Sequence, residues 1–208
     1  MKTQIRRGVF ETNSSSMHSI SIIKDDFKSS LPIQFTIDCD GTFGWEVDTY
    51  DSPENKAAYL YQAIVSYPTY NEHNKEGYDA KIAKEKLQDL MDKFISNLES
   101  YGIEVKCKYK FAKISHTEYF SSFNLKKYSY DCILFVDENG NKSKNMGFLD
   151  HGSEAKEFVD YVLSSPENTV KFIFDYRCFI ETGNDNDSDY WDREKPINEE
   201  FIIFEKGN

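Results

Sequence analysis

The sequence predicts an α+β protein, a single domain in which about three helices pack on a mostly antiparallel or mixed sheet. Several short runs alternate apolar and polar residues, as strands do, whereas longer segments repeat apolar residues at helical spacing. Strands and helices do not alternate regularly enough for a doubly wound sheet. No Gly-Ser or proline-rich linker divides the 208 residues, so we predict one domain over 1–208.

The first half of the chain begins with strands and then turns helical. "SISII" predicts a strand at 19–23, and "IQFTIDCDG" predicts a second strand that ends at an Asp-Gly turn, with "TFGWEVDTY" as its hairpin partner. Ser52 and Pro53 predict a helix start, because serine accepts from free amides and proline at the first position loses no bond. This helix, "PENKAAYLYQAIVSY", is expected to end before Pro68.

A polar connection over 69–77 is predicted after this helix. A long amphipathic helix is predicted from Tyr78 to about Tyr101, with Gly102 as its stop. "IEVKCKYKFAKI" predicts the strongest strand. Its outer face carries Lys106, Lys108, Lys110 and Lys113, which form either a solvated sheet face or a surface for RNA or another partner. A strand in "YDCILFVDENGNK", a helix in "GSEAKEFVDYVLSS", a strand in "TVKFIFDYRCFIETG" and a last strand in "EEFIIFEKG" complete the order.

The composition limits the classes of function. Aromatic residues make up 15% of the chain, which argues against disorder. The net charge is −11, so the chain as a whole gains no electrostatic attraction to nucleic acid or to anionic membranes. This charge instead suits a basic protein partner, although a local basic patch would still allow RNA binding.

The cysteines and the hydropathy bear on the compartment. Cys39, Cys107, Cys132 and Cys178 lie far apart, without zinc-type spacing. We expect Cys107 and Cys132 to be small buried apolar residues. No apolar segment follows the N-terminal arginines, and no apolar run reaches roughly 18 residues, so we expect neither a signal peptide nor a membrane span. The sequence therefore predicts a cytoplasmic protein with reduced cysteines.

Four polar segments lie at predicted strand ends and turns. They are "GVFETNSSSMHS" after two arginines, "GTFGWE", "GFLDHGSE" before a predicted helix, and "ETGNDNDSDYW" after a predicted strand. Each has a purely structural explanation, such as a helix cap or a solvated turn. Taken together, however, they supply acid–base groups and phosphate-binding groups.

If these four segments share one pocket, they favour metal-independent RNA cleavage, in which the 2′-hydroxyl of the substrate is the nucleophile. Two histidines with different carboxylate neighbours can act as base and acid near neutral pH. We assign His18 as base and His151 as acid, or the reverse, and Arg7 with Ser15 or Ser16 as the phosphate cradle. The catalytic candidates are His18, His151, Arg7, Glu11 and Asp150. The substrate-binding candidates are Arg6, Asn13, Ser14, Ser15, Ser16, Trp45, Glu46, Asn184 and Asp185. This mechanism needs no cofactor and no metal.

Two other enzyme classes are less well supported. Asp150, His151, Asp185 and Asp187 offer ligands for Mg²⁺ or Mn²⁺, but their spacing defines no site. A Ser-His-Asp hydrolase lacks the G-x-S-x-G elbow, and the serines lie too close to His18 along the chain. Neither G-x-G-x-x-G nor a Walker A motif occurs.

A non-catalytic function is the remaining alternative. The acidic segments "GNDNDSDYWDRE" and "IDCDG" would imitate a phosphate backbone and block the nucleic-acid channel of a defence nuclease. The polar segments would then fix loops through buried hydrogen bonds.

The polar segments also resemble those of uncharacterised proteins from phages and mobile elements of Firmicutes. Those proteins open with Arg-x(2 or 3)-Phe-Glu-Thr-Asn-Ser-Ser-Ser-x-His-Ser. Here the shared segments are "RRGVFETNSSSMHS", "GTFGWE", "PENKAAYL", "DHGS" and "GNDND", spread over residues 6–187. The resemblance implies a mobile-element origin rather than a reaction. By analogy with anti-CRISPR proteins of similar size and acidity, it implies action against host defence, with guide RNA or a CRISPR effector nuclease as the partner.

Overall fold

The computed structural model describes residues 16–44, 46–73, 80–121, 126–143, 148–149, 155–184 and 200–206. Within these residues the chain forms four helices and eleven strands, which confirms the predicted α+β class. The helices are α1 (Pro53–His73), α2 (Ala80–Glu99), α3 (Lys156–Val162) and α4 (Pro166–Phe174). The strands are β1 (Ser16–Ile23), β2 (Gln34–Ile37), β3 (Thr42–Phe43), β4 (Asp48–Tyr50), β5 (Glu104–Cys107), β6 (Tyr109–Ser121), β7 (Lys126–Asp137), β8 (Lys142–Ser143), β9 (Phe148–Leu149), β10 (Phe179–Asn184) and β11 (Phe201–Lys206).

The main sheet has the strand order β11-β1-β10-β4 and is antiparallel throughout. β1 lies inside it, and its register pairs His18 with Thr182 of β10 and with Lys206 of β11. The sheet therefore joins the first described strand to the last two. A second antiparallel sheet has the order β6-β7-β8, and two parallel pairs, β2-β5 and β3-β9, complete the sheets of the described residues.

The predicted hairpin between "IQFTIDCDG" and "TFGWEVDTY" is wrong. β2 pairs in parallel with β5, β3 pairs with β9, and β4 pairs with β10. Close packing requires a glycine at position 41, because a Cβ there would lie 2.6 Å from the Phe43 ring and 3.0 Å from the Cβ of Ala58. The glycine thus allows Phe43 to enter the core beside α1, and the Asp-Gly signal reflects close packing.

The helix that starts at Pro53 continues through Pro68 to His73, past the predicted end. The predicted start is confirmed, since the Ser52 hydroxyl accepts a hydrogen bond from the Asn55 amide at 3.2 Å. Proline removes one amide donor from a helix, here the donor to the carbonyl of Ile64, but it does not prevent the backbone from continuing. The polar connection predicted over 69–77 is therefore helical up to residue 73.

The strand predicted in "TVKFIFDYRCFIETG" is wrong in its first half, which belongs to α4. Ser165 caps this helix by accepting from the Asn168 amide at 3.2 Å, and Pro166 holds its first position. The same Ser-Pro-Glu start as in α1 was present in the sequence. The second half of α4, Thr169–Phe174, is rich in β-branched and aromatic residues, which are typical of strands, and this composition explains the wrong prediction.

The core lies between the helices and the main sheet. The inward face of α2 supplies Leu87, Met91, Phe94 and Leu98 to the core, as the predicted amphipathic helix requires, whereas Ile82 of this helix is 59% exposed. α2 ends at Glu99, and Gly102 follows it with a φ of 78°, which agrees with the predicted stop. The strongest predicted strand is divided at Lys108 into β5 and β6, because β5 pairs with β2 whereas β6 pairs with β7.

Candidate functional site

His18 is a buried residue of β1, with 1% of its surface exposed. Its Nδ1 atom lies 2.9 Å from the hydroxyl oxygen of Tyr59, which α1 presents from the opposite side of the core. Tyr59 is fully buried and contacts the rings of Phe43 and Phe158 with centroids 5.0 and 5.8 Å apart. Burial raises the pKa of Tyr59 well above its ordinary value, so its hydroxyl stays protonated at neutral pH. The imidazole is thus oriented inside the protein.

Two of the polar segments meet at one end of the main sheet. Ser16, the last residue of the serine run, is the register partner of Asn184, which lies in "ETGNDNDSDYW". Ser16 is fully buried at this position. The pairing of β1 with β10 therefore places the described ends of the N-terminal segment and of the acidic segment side by side, although they are far apart in the sequence.

The other two polar segments meet through β3 and β9. Phe43 of "GTFGWE" is the register partner of Leu149 of "GFLDHGSE". These two strands are parallel. Phe43 also packs against Tyr59, the residue that binds His18. The flanks of both segments therefore lie beside the environment of His18.

Glu46 connects the two pairs of segments. Its carbonyl oxygen accepts a hydrogen bond from the Thr182 hydroxyl at 2.6 Å. Thr182 is buried in β10 and is paired with His18 on one side and with Asp48 on the other. The Glu46 side chain is exposed. The described parts of all four segments are thus joined around β10 and Tyr59.

The remaining site candidates lie outside the described residues. They are Arg6, Arg7, Glu11, Asn13, Ser14, Ser15, Trp45, Asp150, His151 and Asp185, together with Asp187 of the metal alternative. Asn184 is described by its backbone. The common pocket and the assignment of His18 and His151 as base and acid stay predictions.

An acidic rim extends from the residues before β4, one of the two outer strands of the main sheet, to the first turn of α1. It consists of Glu46, Asp48, Asp51 and Glu54, and all four side chains are exposed. They form no ion pair with any residue that the structure describes. The acids of "IDCDG" differ, since Asp38 lies 3.5 Å from the Lys108 ammonium and Asp40 also pairs with it. The rim is therefore the less neutralised of these two acidic surfaces.

The predicted lysine stripe borders a cleft of about 520 Å³. Lys106, Lys108 and Lys110 are exposed and line it, opposite Asp137 and Glu138. Two of these lysines also have acidic neighbours of their own. Lys106 lies 3.9 Å from Glu104, and Lys108 pairs with two aspartates. The cleft thus carries charges of both signs, which weakens its attraction for RNA as a polyanion.

Tyr59 was not predicted as the partner of His18. The segment "KAAYLYQAI" indicated a helix, but no local pattern shows which tyrosine reaches a histidine 41 residues away. The contact between Cys39 and Cys107, whose Sγ atoms lie 3.6 Å apart, was not predicted either. Cys39 is fully buried, whereas Cys107 is only partly buried and so departs from the expectation of a buried residue.

Among the described residues, no three His, Cys, Asp or Glu side chains lie close enough together to hold a metal ion. The described helices also include none with the length and apolar character needed to cross a bilayer. In comparisons with known proteins, no family model, curated protein or solved structure matches this chain.

Proposed function

We propose that this protein is a mobile-element accessory protein that antagonises host defence by binding, and that it occupies the nucleic-acid-binding surface of a basic nuclease such as a CRISPR effector. The acidic rim carries the proposal. Its four exposed carboxylates lie within nine residues and pair with no cation in the described part of the chain. A basic surface that binds phosphates is complementary to such a cluster.

The location of the rim supports a contact with a protein. β4 pairs with β10 on one side and has no strand partner on the other within the described residues. The neighbouring Val47 is 54% exposed, so the rim combines charge with apolar surface.

The environment of His18 favours binding over catalysis. A general base must reach the proton that it removes, directly or through one water molecule. His18 is 1% exposed, and its Nδ1 atom is engaged by a tyrosine that is itself fully buried. In this arrangement the imidazole stabilises the packing of β1 against α1.

A competition assay tests the proposal. Purified protein is titrated into a guide-loaded CRISPR effector nuclease, and binding of labelled target DNA is followed by fluorescence anisotropy. The rim variant carries Glu46→Gln, Asp48→Asn, Asp51→Asn and Glu54→Gln. The control variant carries Asp26→Asn, Asp89→Asn, Glu99→Gln and Glu200→Gln, which removes the same charge from exposed acids elsewhere.

We expect the wild-type protein and the control variant to displace DNA equally, and the rim variant to require at least about tenfold more protein. Raising the salt concentration should weaken the competition, because exposed charges are screened. Circular dichroism checks that both variants fold. Equal competition by the two folded variants, or no competition by the wild type with any nuclease of a panel, would refute the proposal.

RNA cleavage is the second candidate, and the strand pairing favours it. The pairs Ser16–Asn184 and Phe43–Leu149 join the flanks of all four polar segments, as a composite active site requires. In this alternative His18 and His151 exchange protons with the substrate, and Tyr59 orients the first imidazole.

A further inference from the structure

Two thiols from distant parts of the chain are in contact. The Sγ atoms of Cys39 and Cys107 lie 3.6 Å apart, although 68 positions separate the residues. The parallel pairing of β2 with β5 aligns Ile37 with Cys107. Cys39 follows Ile37 by two residues and therefore lies on the same side of the strand, diagonally opposite Cys107. The contact is thus built into the sheet register.

The two sulfur atoms differ in access. Cys39 is fully buried, and the Gln62 side chain holds its backbone by donating to its carbonyl oxygen at 2.7 Å. Cys107 is partly exposed and lines the cleft of about 520 Å³. A small reagent that enters the cleft therefore reaches Cys107, with Cys39 directly behind it.

The surroundings also differ in their effect on ionisation. A hydrogen bond from the Cys39 thiol lowers the pKa of Cys107, and the nearby Lys110 ammonium acts in the same direction. The same hydrogen bond raises the pKa of Cys39, and burial raises it further. The thiolate is therefore favoured on the accessible sulfur, while the buried partner keeps its proton. Because the thiolate is the nucleophile, Cys107 is the more reactive of the two.

We propose that Cys107 is a site of oxidation by small hydroperoxides and that Cys39 is the resolving thiol. The Cys107 thiolate attacks the outer oxygen of the hydroperoxide, so an S–O bond forms while the O–O bond breaks. The oxidant is thereby reduced by two electrons, and its leaving oxygen departs as alkoxide, or as hydroxide in the case of hydrogen peroxide, and takes a proton from solvent to become the alcohol or water. Cys107 becomes a sulfenic acid.

The second step converts the contact between the two sulfur atoms into a disulfide bond. Cys39 attacks the sulfenic sulfur, so the S–S bond forms and the S–O bond breaks, and the Cys39 proton leaves with the hydroxyl group as water. The sulfurs must approach from 3.6 Å to about 2.05 Å. Cys107 belongs to the last pair of the β2-β5 ladder, and Cys39 lies two residues beyond its register partner Ile37.

Mass spectrometry of the full-length protein tests this proposal. The protein is reduced, freed of reductant, and exposed to hydrogen peroxide with and without dimedone, which traps sulfenic acids. The test compares the wild type with Cys39→Ser, Cys107→Ser and Cys178→Ser. Cys178 provides the matched control, since it is fully buried and burial raises the pKa of its thiol.

In the wild type we expect a disulfide-linked peptide pair containing Cys39 and Cys107, with the loss of two hydrogen atoms and reversal by dithiothreitol. Cys39→Ser should accumulate the dimedone adduct on Cys107 at least about tenfold above the wild type, because no resolving thiol remains. Cys107→Ser should form neither product, and Cys178→Ser should behave like the wild type.

Two results would overturn the proposal. One is alkylation of the Cys107 thiol by iodoacetamide no faster than that of Cys178 in the reduced, folded wild type, a measurement that needs no variant. The other is a peroxide-induced disulfide in the wild type that joins a pair other than Cys39 and Cys107.

Discussion

The imidazole of His18 and the phenol of Tyr59 form a buried hydrogen bond, with Nδ1 2.9 Å from the hydroxyl oxygen. The bond connects the main sheet to α1 across 41 positions of the chain. Since both side chains are excluded from water, removal of either partner leaves a buried polar group without this bond.

Tyr59→Phe keeps the ring in its apolar environment and removes only the hydroxyl. We expect it to lower the free energy of unfolding by about 1–3 kcal/mol, the cost of leaving a buried polar group unsatisfied. Urea denaturation followed by circular dichroism measures the change. Tyr176→Phe is the control, because Tyr176 is 70% exposed and should change stability by less than about 0.5 kcal/mol. Equal stability of Tyr59→Phe and the wild type would contradict the structural role of this bond.

Incubation with guide-type RNA, with and without EDTA, separates the candidate functions. If binding is the function, the RNA stays intact in both conditions. EDTA-resistant cleavage that is lost in His18→Ala or His151→Ala would instead support the two-histidine mechanism. EDTA-sensitive cleavage would favour the metal site at Asp150, His151, Asp185 and Asp187. Gel electrophoresis of end-labelled RNA distinguishes these outcomes.

Lys56 makes stability depend on pH above neutrality. Its side chain is fully buried, and Nζ donates to the carbonyl oxygens of Asp175 and Cys178 at 2.8 and 2.9 Å. Burial lowers its pKa from 10.5 to about 8. Between these two values the unfolded chain binds more protons at this site than the folded protein does, so the Lys56 contribution to stability rises with pH.

Lys56→Met removes this titration and keeps most of the aliphatic chain. Relative to the variant, the wild type should gain about 1 kcal/mol of unfolding free energy between pH 8 and pH 9. Taking the difference between the two proteins cancels the other groups that titrate in this range. Parallel pH profiles of wild type and variant would rule out the lowered pKa.

Arg177 holds the carboxylate of Asp175, whose side chain is fully buried. Its Nε and Nη2 atoms donate to the two carboxylate oxygens at 2.9 and 2.8 Å. Burial by itself would raise the pKa of Asp175, but the hydrogen bonds from Arg177 outweigh it and hold that pKa below its ordinary value. The pair therefore contributes its stability above the unfolded pKa of 3.8 and loses it as pH falls through the lower folded value.

Arg177→Met leaves that carboxylate buried without its cation. We expect a loss of about 3 kcal/mol of unfolding free energy at pH 7, since breaking a buried pair from one side is costly. The deficit should shrink as pH falls toward 4, because burial without the cation raises the pKa of Asp175 in the variant and the carboxyl becomes neutral there. Guanidinium-induced unfolding at several pH values follows both effects. A deficit that is independent of pH would show that the loss comes from packing.

Local sequence signals predicted most elements but not their partners. Ser52 and Pro53 marked the start of α1. The same signal occurs at Ser165 and Pro166, at the start of α4. It was not used there, because the aromatic and β-branched residues that follow are typical of a strand. Pairing was harder to predict. The Asp-Gly signal before Phe43 indicated a hairpin, whereas the glycine serves close packing against α1.

In the candidate site, too, the sequence indicated the residues but not their contacts. The sequence singled out His18, Ser16, Glu46 and Asn184 because they belong to segments at predicted strand ends and turns that are rich in hydrogen-bonding and acid–base groups. It did not show that Ser16 pairs with Asn184 or that His18 lies inside the protein. Exposure depends on what packs over a residue, and in this case the covering group includes Tyr59 of α1.

The sequence by itself determined the α+β class, the negative charge and the approximate position of most helices and strands, because periodicity, caps and composition are local properties. The tertiary structure alone decided which strands pair, which acids stay exposed without a cation in the described residues, and which thiols touch. Those outcomes depend on contacts between residues tens of positions apart, and the free energy of burying them together is not a property of any one segment.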